Sequence, residues 1–151
     1  MNVAEAVLAV YLAAAAITDL IYRKLKVSLL LCGLIPIAVS LAWRLTALSD
    51  PGGIVRELVL MSAGAAVGLI FLLLAHVTGE KIGKGDAFVF CICGTAAGIE
   101  SLIPVVMLAF LLGAVYSAGM LATGRLGKKS RIAFVPFIFL GYVMSLAAGM
   151  L

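Results

Sequence analysis

Long apolar runs, separated by short polar connections, most constrain what this chain can fold into. A helix needs about 20 apolar residues to cross the roughly 30 Å hydrocarbon layer of a bilayer, and residues 3–21 already supply such a run. Hydrophobic residues make up 65% of the 151 residues and charged residues only 12%, a balance that a soluble domain of this size does not have. The sequence therefore predicts an integral membrane protein.

Six segments are predicted to form membrane-spanning helices, so the predicted fold class is all-α and polytopic. Residues 51–53, Pro-Gly-Gly, are expected to form a turn before the third segment. Neither a repeat nor a low-complexity tract divides the chain, and we expect residues 1–151 to form a single membrane-embedded domain. The predicted spans cover residues 3–21, 25–48, 54–76, 86–99, 102–123 and 132–151.

Basic residues gather in the loops after the first, third and fifth predicted spans. Short loops rich in lysine and arginine stay on the cytosolic side during insertion, so both termini are predicted to lie outside. Topology then explains the net charge of +4 without a nucleic-acid partner. Arg44 and Arg56 lie elsewhere, and we interpret Arg44, next to Trp43, as an anchor at the outer interface. The three loops contain nine of the 11 lysines and arginines: Arg23, Lys24, Lys26, Lys81, Lys84, Arg125, Lys128, Lys129 and Arg131.

Two aspartates stand out because each adjoins a long apolar run. Asp19 closes the run of the first span and Asp86 opens the fourth, both at predicted cytosolic helix ends. An ionised acid is costly within a membrane and usually faces the bundle interior or a watery cavity. Asp86 also has a structural explanation, as an N-cap that accepts the free N–H groups of its helix. Asp19 lies near a helix C-terminus, where the helix dipole opposes a negative charge.

Two carboxyl groups at one depth can carry out the chemistry of an aspartic protease. Like charges at short range do not both ionise easily, so the pair shares a proton. One group then takes a proton from water while the other donates a proton to the peptide carbonyl, with no metal or other cofactor. The alternative is a non-enzymatic channel or transporter subunit with the aspartates along a cation or proton path. Transport predicts acids spread across the membrane, whereas proteolysis predicts two at one level.

Glycines precede the second aspartate in the order Gly83, Lys84, Gly85, Asp86. Because glycine has no Cβ, the backbone can approach other groups closely and can adopt conformations that other residues avoid. The G-x-G-D spacing therefore favours a carboxylate placed against another helix, with space for an extended substrate.

With these features the chain resembles the type IV prepilin peptidases, small polytopic aspartic proteases that include the archaeal preflagellin peptidases. The resemblance rests on Asp19 followed by basic residues, on the G-x-G-D motif ending at Asp86, and on a basic loop that runs into a helix with Pro136. It implies that Asp19 and Asp86 are the catalytic pair of an aspartic endopeptidase. Typical presenilin-like peptidases share the G-x-G-D motif but are much longer, nine-span chains.

The resemblance also implies a substrate and a location. The family removes a short basic leader from type IV pilin-like or preflagellin-like precursors at the cytosolic membrane face. Cleavage usually follows a glycine and precedes the hydrophobic helix of the precursor. The implied setting is the plasma membrane of a prokaryote, with the lipid bilayer and the precursor as partners and a role in type IV pilus assembly or protein secretion.

Larger bacterial relatives carry a further cytosolic domain with paired C-x-x-C zinc ligands and N-methylate the cleaved product. Here Cys32, Cys91 and Cys93 lie in apolar segments without that spacing, and we interpret them as small buried hydrophobic residues. The chain therefore resembles a minimal form without methyltransferase activity. It departs from the common pattern at residues 25–27, Leu-Lys-Val in place of Ile-Pro-Asn, and at Phe88, where many members have lysine.

Overall fold

The computed structural model describes residues 2–22, 27–48, 50–77, 83–124 and 133–149. Helices account for 91% of this part of the chain, and none of it forms a strand. The all-α fold class is therefore confirmed. The helices are α1 (Val3–Tyr22), α2 (Val27–Cys32), α3 (Leu34–Ala47), α4 (Pro51–Val77), α5 (Lys84–Ala97), α6 (Ile99–Ala122) and α7 (Val135–Ala147).

Four helical segments of the described chain are long and apolar enough to cross a membrane. They are Val3–Tyr22, Ser28–Ala47, Pro51–Val77 and Ile99–Ala122. Helices α5 and α7 have only 14 and 13 residues, and a helix of that length extends about 20 Å at about 1.5 Å per residue. A multi-pass membrane protein is therefore supported, whereas the six spans and the orientation of the termini stay predictions.

The second predicted span is divided, because α2 ends at Cys32 and α3 begins after a turn at Gly33. Pro36 explains the break. Proline has no N–H and cannot donate to the carbonyl four residues earlier, which is that of Cys32. Packing also favours the glycine, since a methyl group on Gly33 would displace the side chain of Ile92 on α5.

The turn predicted at residues 51–53 is wrong, since α4 begins at Pro51. A proline suits the first helical position because its fixed φ is already helical and its missing N–H would have no partner there. Asp50 caps the helix: its Oδ2 accepts the N–H of Gly53 at 3.0 Å, and its carbonyl oxygen accepts the N–H of Ile54 at 3.2 Å. The Asp-Pro-Gly-Gly segment is thus a helix start.

Helices α5 and α6 meet at Gly98, whose φ of 84° favours glycine. The predicted spans at residues 86–99 and 102–123 are thereby corrected, because α5 begins two residues earlier and α6 begins at Ile99. The last predicted span, residues 132–151, contains the shorter helix α7.

Helix α5 lies at the centre of the bundle, in contact with α1, α3, α4 and α6. Its most extensive contact is with α4, where two pairs of small residues let the helices approach closely. Gly64 meets Gly94, and Gly68 meets Cys91, so that a methyl group on Gly64 or Gly68 would overlap the backbone of α5. Such close approach is typical of helix packing in membranes. Helix α7 packs mainly against α6 and α1.

Candidate active site

Asp19 lies in the last turn of α1, on the face that packs into the bundle. The buried residues Leu8, Leu12, Ala15 and Ala16 precede it at helical spacing, and side chains three or four positions apart share one face of a helix. Only 7% of Asp19 is exposed. The apolar face of α1 therefore ends in a buried acid.

The carboxylate of Asp19 is held by the start of α7. Its Oδ2 accepts the backbone N–H of Val135 at 3.3 Å. The first N–H groups of a helix lack partners within the helix, and the positive end of its dipole favours a negative charge. Asp19 therefore acts as a cap for a helix far along the chain.

The sequence at the start of α7 explains why Val135 is an available donor. Phe137 and Ile138 already donate their N–H groups to the carbonyl oxygen of Phe134, at 2.9 and 3.3 Å. Pro136 has no N–H to donate. The N–H of Val135 is consequently left for an acceptor outside the helix, and Asp19 supplies it.

Asp86 lies in the first turn of α5, third after the N-cap residue Gly83. The interpretation of Asp86 as the N-cap is therefore wrong, because Asp86 is the third residue of the helix. The N-cap is Gly83, which has no side chain with which to cap the helix. A methyl group on Gly83 would lie 2.6 Å from Oδ2 of Asp86, which is too close for van der Waals contact. The glycine thus leaves room for this carboxylate, whereas the space for an extended substrate stays a prediction.

The structure brings the two predicted acids to the same end of the bundle. Helix α1 packs directly against α5, and the charge of Asp19 acts electrostatically on Asp86. Two carboxyl groups that come within hydrogen-bond distance of each other are able to share a proton. Chemically, the pair is able to accept a proton from one group and donate a proton to another.

An aromatic cluster lies among α4, α5, α6 and the start of α7; its members are Phe71, Phe90, Phe110, Phe134 and Phe137. Phe90 lies four residues after Asp86, on the same face of α5. Its ring centroid is 4.9 Å from that of Phe71 and 6.1 Å from that of Phe134. The cluster therefore links the helix of Asp86 to the start of α7, which holds Asp19. Sequence reasoning missed it, although the spacing of Phe134 and Phe137 was a signal.

The other predicted motif residues surround Asp86. Lys84 is exposed and Gly85 is half-buried, both in the first turn of α5. The remaining lysines and arginines of the predicted cytosolic loops lie outside the described residues, as do the departures at positions 25 and 26. Phe88 is 42% exposed, and as the second residue after Asp86 it lies on nearly the opposite side of the helix.

The cysteines differ from one another in burial. Cys93 is buried, Cys91 is half-buried and Cys32 is exposed, so the interpretation of all three as buried residues is wrong for Cys32. Its side chain lies on the outer surface of α2, which an apolar bilayer would cover. In the part of the chain that the structure describes, no group of three histidine, cysteine or acidic residues is placed to hold a metal ion.

A second polar cluster occupies the opposite end of the bundle. Arg44 of α3 forms an ion pair with Glu57 of α4, and it donates to the carbonyl oxygen of Ala97 at 2.9 Å. Ser40 donates to the carbonyl oxygen of Ala96. Arg44 therefore joins α3, α4 and the end of α5, and its role as an anchor at the outer interface stays a prediction. A cavity of about 310 Å³ adjoins it, and neither Asp19 nor Asp86 lines this cavity.

Comparison with known proteins identifies the family. Residues 6–118 match the model of the type IV leader peptidase family. The chain is also 34% identical over 87 residues to a prepilin leader peptidase/N-methyltransferase of Bacillus subtilis (strain 168).

That alignment covers 57% of this chain and 35% of the relative, so the chain spans about a third of the length of that protein. No solved structure matches the chain. The match to the family model includes both Asp19 and Asp86 and extends over most of the sequence. The chain belongs to the type IV leader peptidase family.

Proposed function

We propose that this protein is an aspartic endopeptidase that removes the basic leader from type IV pilin-like precursors at the cytosolic face of the membrane. Asp19 and Asp86 are its catalytic residues, and Gly83, Lys84 and Gly85 support the second acid. The observation that carries the proposal is the packing of α1, which has Asp19 in its last turn, against α5, which has Asp86 in its first turn, in a chain of the type IV leader peptidase family. The curated relative bears the name of a prepilin leader peptidase, which favours this substrate class over the channel or transporter alternative.

The chemistry follows from two carboxyl groups that hold one proton between them. One group accepts a proton from water, whose oxygen attacks the carbonyl carbon of the scissile peptide, while the other donates its proton to the carbonyl oxygen. The C–N bond of the resulting diol then breaks: the leaving nitrogen takes the proton that the pair holds, while a hydroxyl of the diol gives its proton to the other carboxylate and becomes the carbonyl oxygen of the new carboxyl group. The products are a new carboxyl terminus on the leader and a new amino terminus on the mature protein, and the acids return to their starting state.

The proposed arrangement in the membrane has six spans, with residues 1–151 as one domain and both termini outside. Helix α5 is shorter than a full span, but it is surrounded by α1, α3, α4 and α6. Backbone that is buried within protein is tolerated at membrane depth. The acids then lie near the cytosolic interface of the plasma membrane of a prokaryote, where a precursor anchored by its own hydrophobic helix presents the leader.

The proposal is tested by cleavage of a precursor with a basic leader, a glycine and a hydrophobic helix, using the full chain reconstituted in lipid. Asp19→Asn and Asp86→Asn each remove the acid with almost no change in shape, and each is expected to abolish cleavage. The matched control is Asp50→Asn, which removes an acid at the start of α4 while an asparagine still caps that helix. It is expected to cleave normally. Cleavage by a folded Asp19→Asn or Asp86→Asn variant would exclude the proposed pair.

A further inference from the structure

Phe134 connects the two candidate catalytic acids through its backbone and its ring. Its backbone continues directly into Val135, whose N–H holds the carboxylate of Asp19 at 3.3 Å. The ring centroid of Phe134 is 6.1 Å from that of Phe90, one turn after Asp86. Phe134, at the start of α7, therefore lies next to the backbone donor that binds Asp19 and also packs near the turn that follows Asp86.

The ring of Phe134 packs closely against α6. Its centroid is 5.2 Å from that of Phe110, and it lies directly over Gly113. A methyl group on Gly113 would be 3.0 Å from Cε2 and 3.6 Å from Cδ2 of Phe134. The first separation is tighter than ordinary van der Waals contact, so an added methyl group would displace the ring by a few tenths of an ångström.

We propose that Phe134 is a positioning residue, which sets the separation between the carboxyl groups of Asp19 and Asp86 through the N–H of Val135. This inference rests on the proposed function, because it concerns the same pair of acids. The ring is fixed between Phe90 and Phe110 over Gly113, and a ring fixed on three sides fixes the backbone next to it. The start of α7 therefore holds Asp19 at a defined distance from the helix that carries Asp86.

The helix α6 offers a matched pair of substitutions for the test. Gly113→Ala pushes on the ring of Phe134, whereas a methyl group on Gly119 meets nothing within 4 Å. Both replace a glycine of α6 by alanine, and neither touches an acid. Because sub-ångström displacement of catalytic groups is costly, Gly113→Ala is expected to lower kcat about fivefold or more, with KM within about twofold of the unchanged protein. Gly119→Ala is expected to leave both constants unchanged.

A second readout separates positioning from a merely structural role. Two interacting acids titrate in two steps whose spacing depends on their separation, so Gly113→Ala is expected to change the width of the pH–activity profile. Phe134→Leu removes the ring atom nearest to Gly113. We therefore expect Phe134→Leu combined with Gly113→Ala to lose less activity than the product of the two single effects.

The outcomes distinguish this inference from the proposed function. If Asp19→Asn and Asp86→Asn abolish cleavage while Gly113→Ala matches Gly119→Ala in kcat and in profile width, the positioning role is overturned and the peptidase proposal stands. A loss of folded protein in Gly113→Ala with unchanged kcat per folded molecule also overturns the positioning role. Retained cleavage in either aspartate variant overturns both.

Discussion

The carboxylate of Asp19 accepts the backbone N–H of Val135 at 3.3 Å, across 116 positions of sequence. The acid at the end of α1 thereby completes the first turn of α7. A side chain that caps a helix and belongs to the candidate catalytic pair has two separable roles, since capping requires an oxygen acceptor and catalysis requires an acid.

Replacing Asp19 by alanine or by asparagine separates these roles. Asparagine keeps an oxygen that can accept the N–H of Val135, whereas alanine does not. We expect both variants to lose cleavage, but Asp19→Ala to be less stable than Asp19→Asn by about 1 kcal/mol, the usual cost of a lost cap. Unfolding in mixed micelles measures the difference. Equal stabilities would show that the contact with Val135 does not stabilise α7.

Substituting Gly83 tests the space that the G-x-G-D motif leaves for Asp86. The added methyl group of Gly83→Ala would stand 2.6 Å from Oδ2 of Asp86, so the carboxylate has to rotate away. We expect the rate of cleavage per folded molecule to fall about tenfold, given the sensitivity of catalysis to small displacements. Gly119→Ala serves as the control, and the peptidase assay measures both. An unchanged rate in Gly83→Ala would indicate that the orientation of Asp86 at rest does not limit the reaction.

Because α4 and α5 pack closely, we expect alanine substitutions at Gly64 and at Gly119 to have different effects on stability. Gly64→Ala introduces a methyl group that overlaps the backbone of Gly94, and such overpacking costs about 1–3 kcal/mol. Gly119→Ala meets no neighbour, and it is expected to be neutral or to stabilise the chain by about 0.5–1 kcal/mol through lower chain entropy. Thermal unfolding in detergent compares them. Similar melting temperatures would contradict the close packing of α4 and α5.

Two ion pairs lie at the end of the bundle remote from the acids, and we expect the loss of each to lower the stability of the fold by a different amount. The pair of Arg44 with Glu57 is about three-quarters buried, whereas the pair of Arg56 with Glu100 is about two-thirds exposed. Glu57→Ala leaves a partly buried guanidinium without its counter-ion, at an expected cost of about 1–3 kcal/mol after allowance for partial exposure. Glu100→Ala is expected to cost about 0–1 kcal/mol.

Both glutamate variants are expected to retain cleavage per folded molecule, because neither residue lies near Asp19 or Asp86. Unfolding measurements alongside the peptidase assay check the pair. A larger loss of stability in Glu100→Ala than in Glu57→Ala would contradict the assigned burial.

The helical class, the apolar faces and the two acids could be predicted because each depends on local sequence. The run that ends in Asp19 has helical spacing, and the G-x-G-D motif is contiguous. The helix break before Pro36 and the cap at Asp50 were also readable, since a proline removes the bond to the carbonyl four residues earlier and an aspartate before a proline is typical of a helix start. Of these two signals we misinterpreted only the second, taking residues 51–53 as a turn.

Contacts between distant helices could not be predicted in this way. The partner of Asp19 is a backbone N–H, which every residue except proline possesses, so no side-chain type indicated Val135. Arg44 and Glu57 are 13 positions apart on different helices, and their pairing depends on how α3 and α4 cross. The contact between the ring of Phe134 and Gly113 likewise depends on how α7 packs against α6.

The close approach of α4 and α5 limits which parts of the bundle are free to move. At Gly64 with Gly94, and again at Gly68 with Cys91, the two backbones leave no room for a side chain. Sliding one helix along the other would bring bulkier residues into that gap, so α4 and α5 form a rigid pair that carries Asp86. Any movement of α4 within the bundle therefore carries the helix of Asp86 with it.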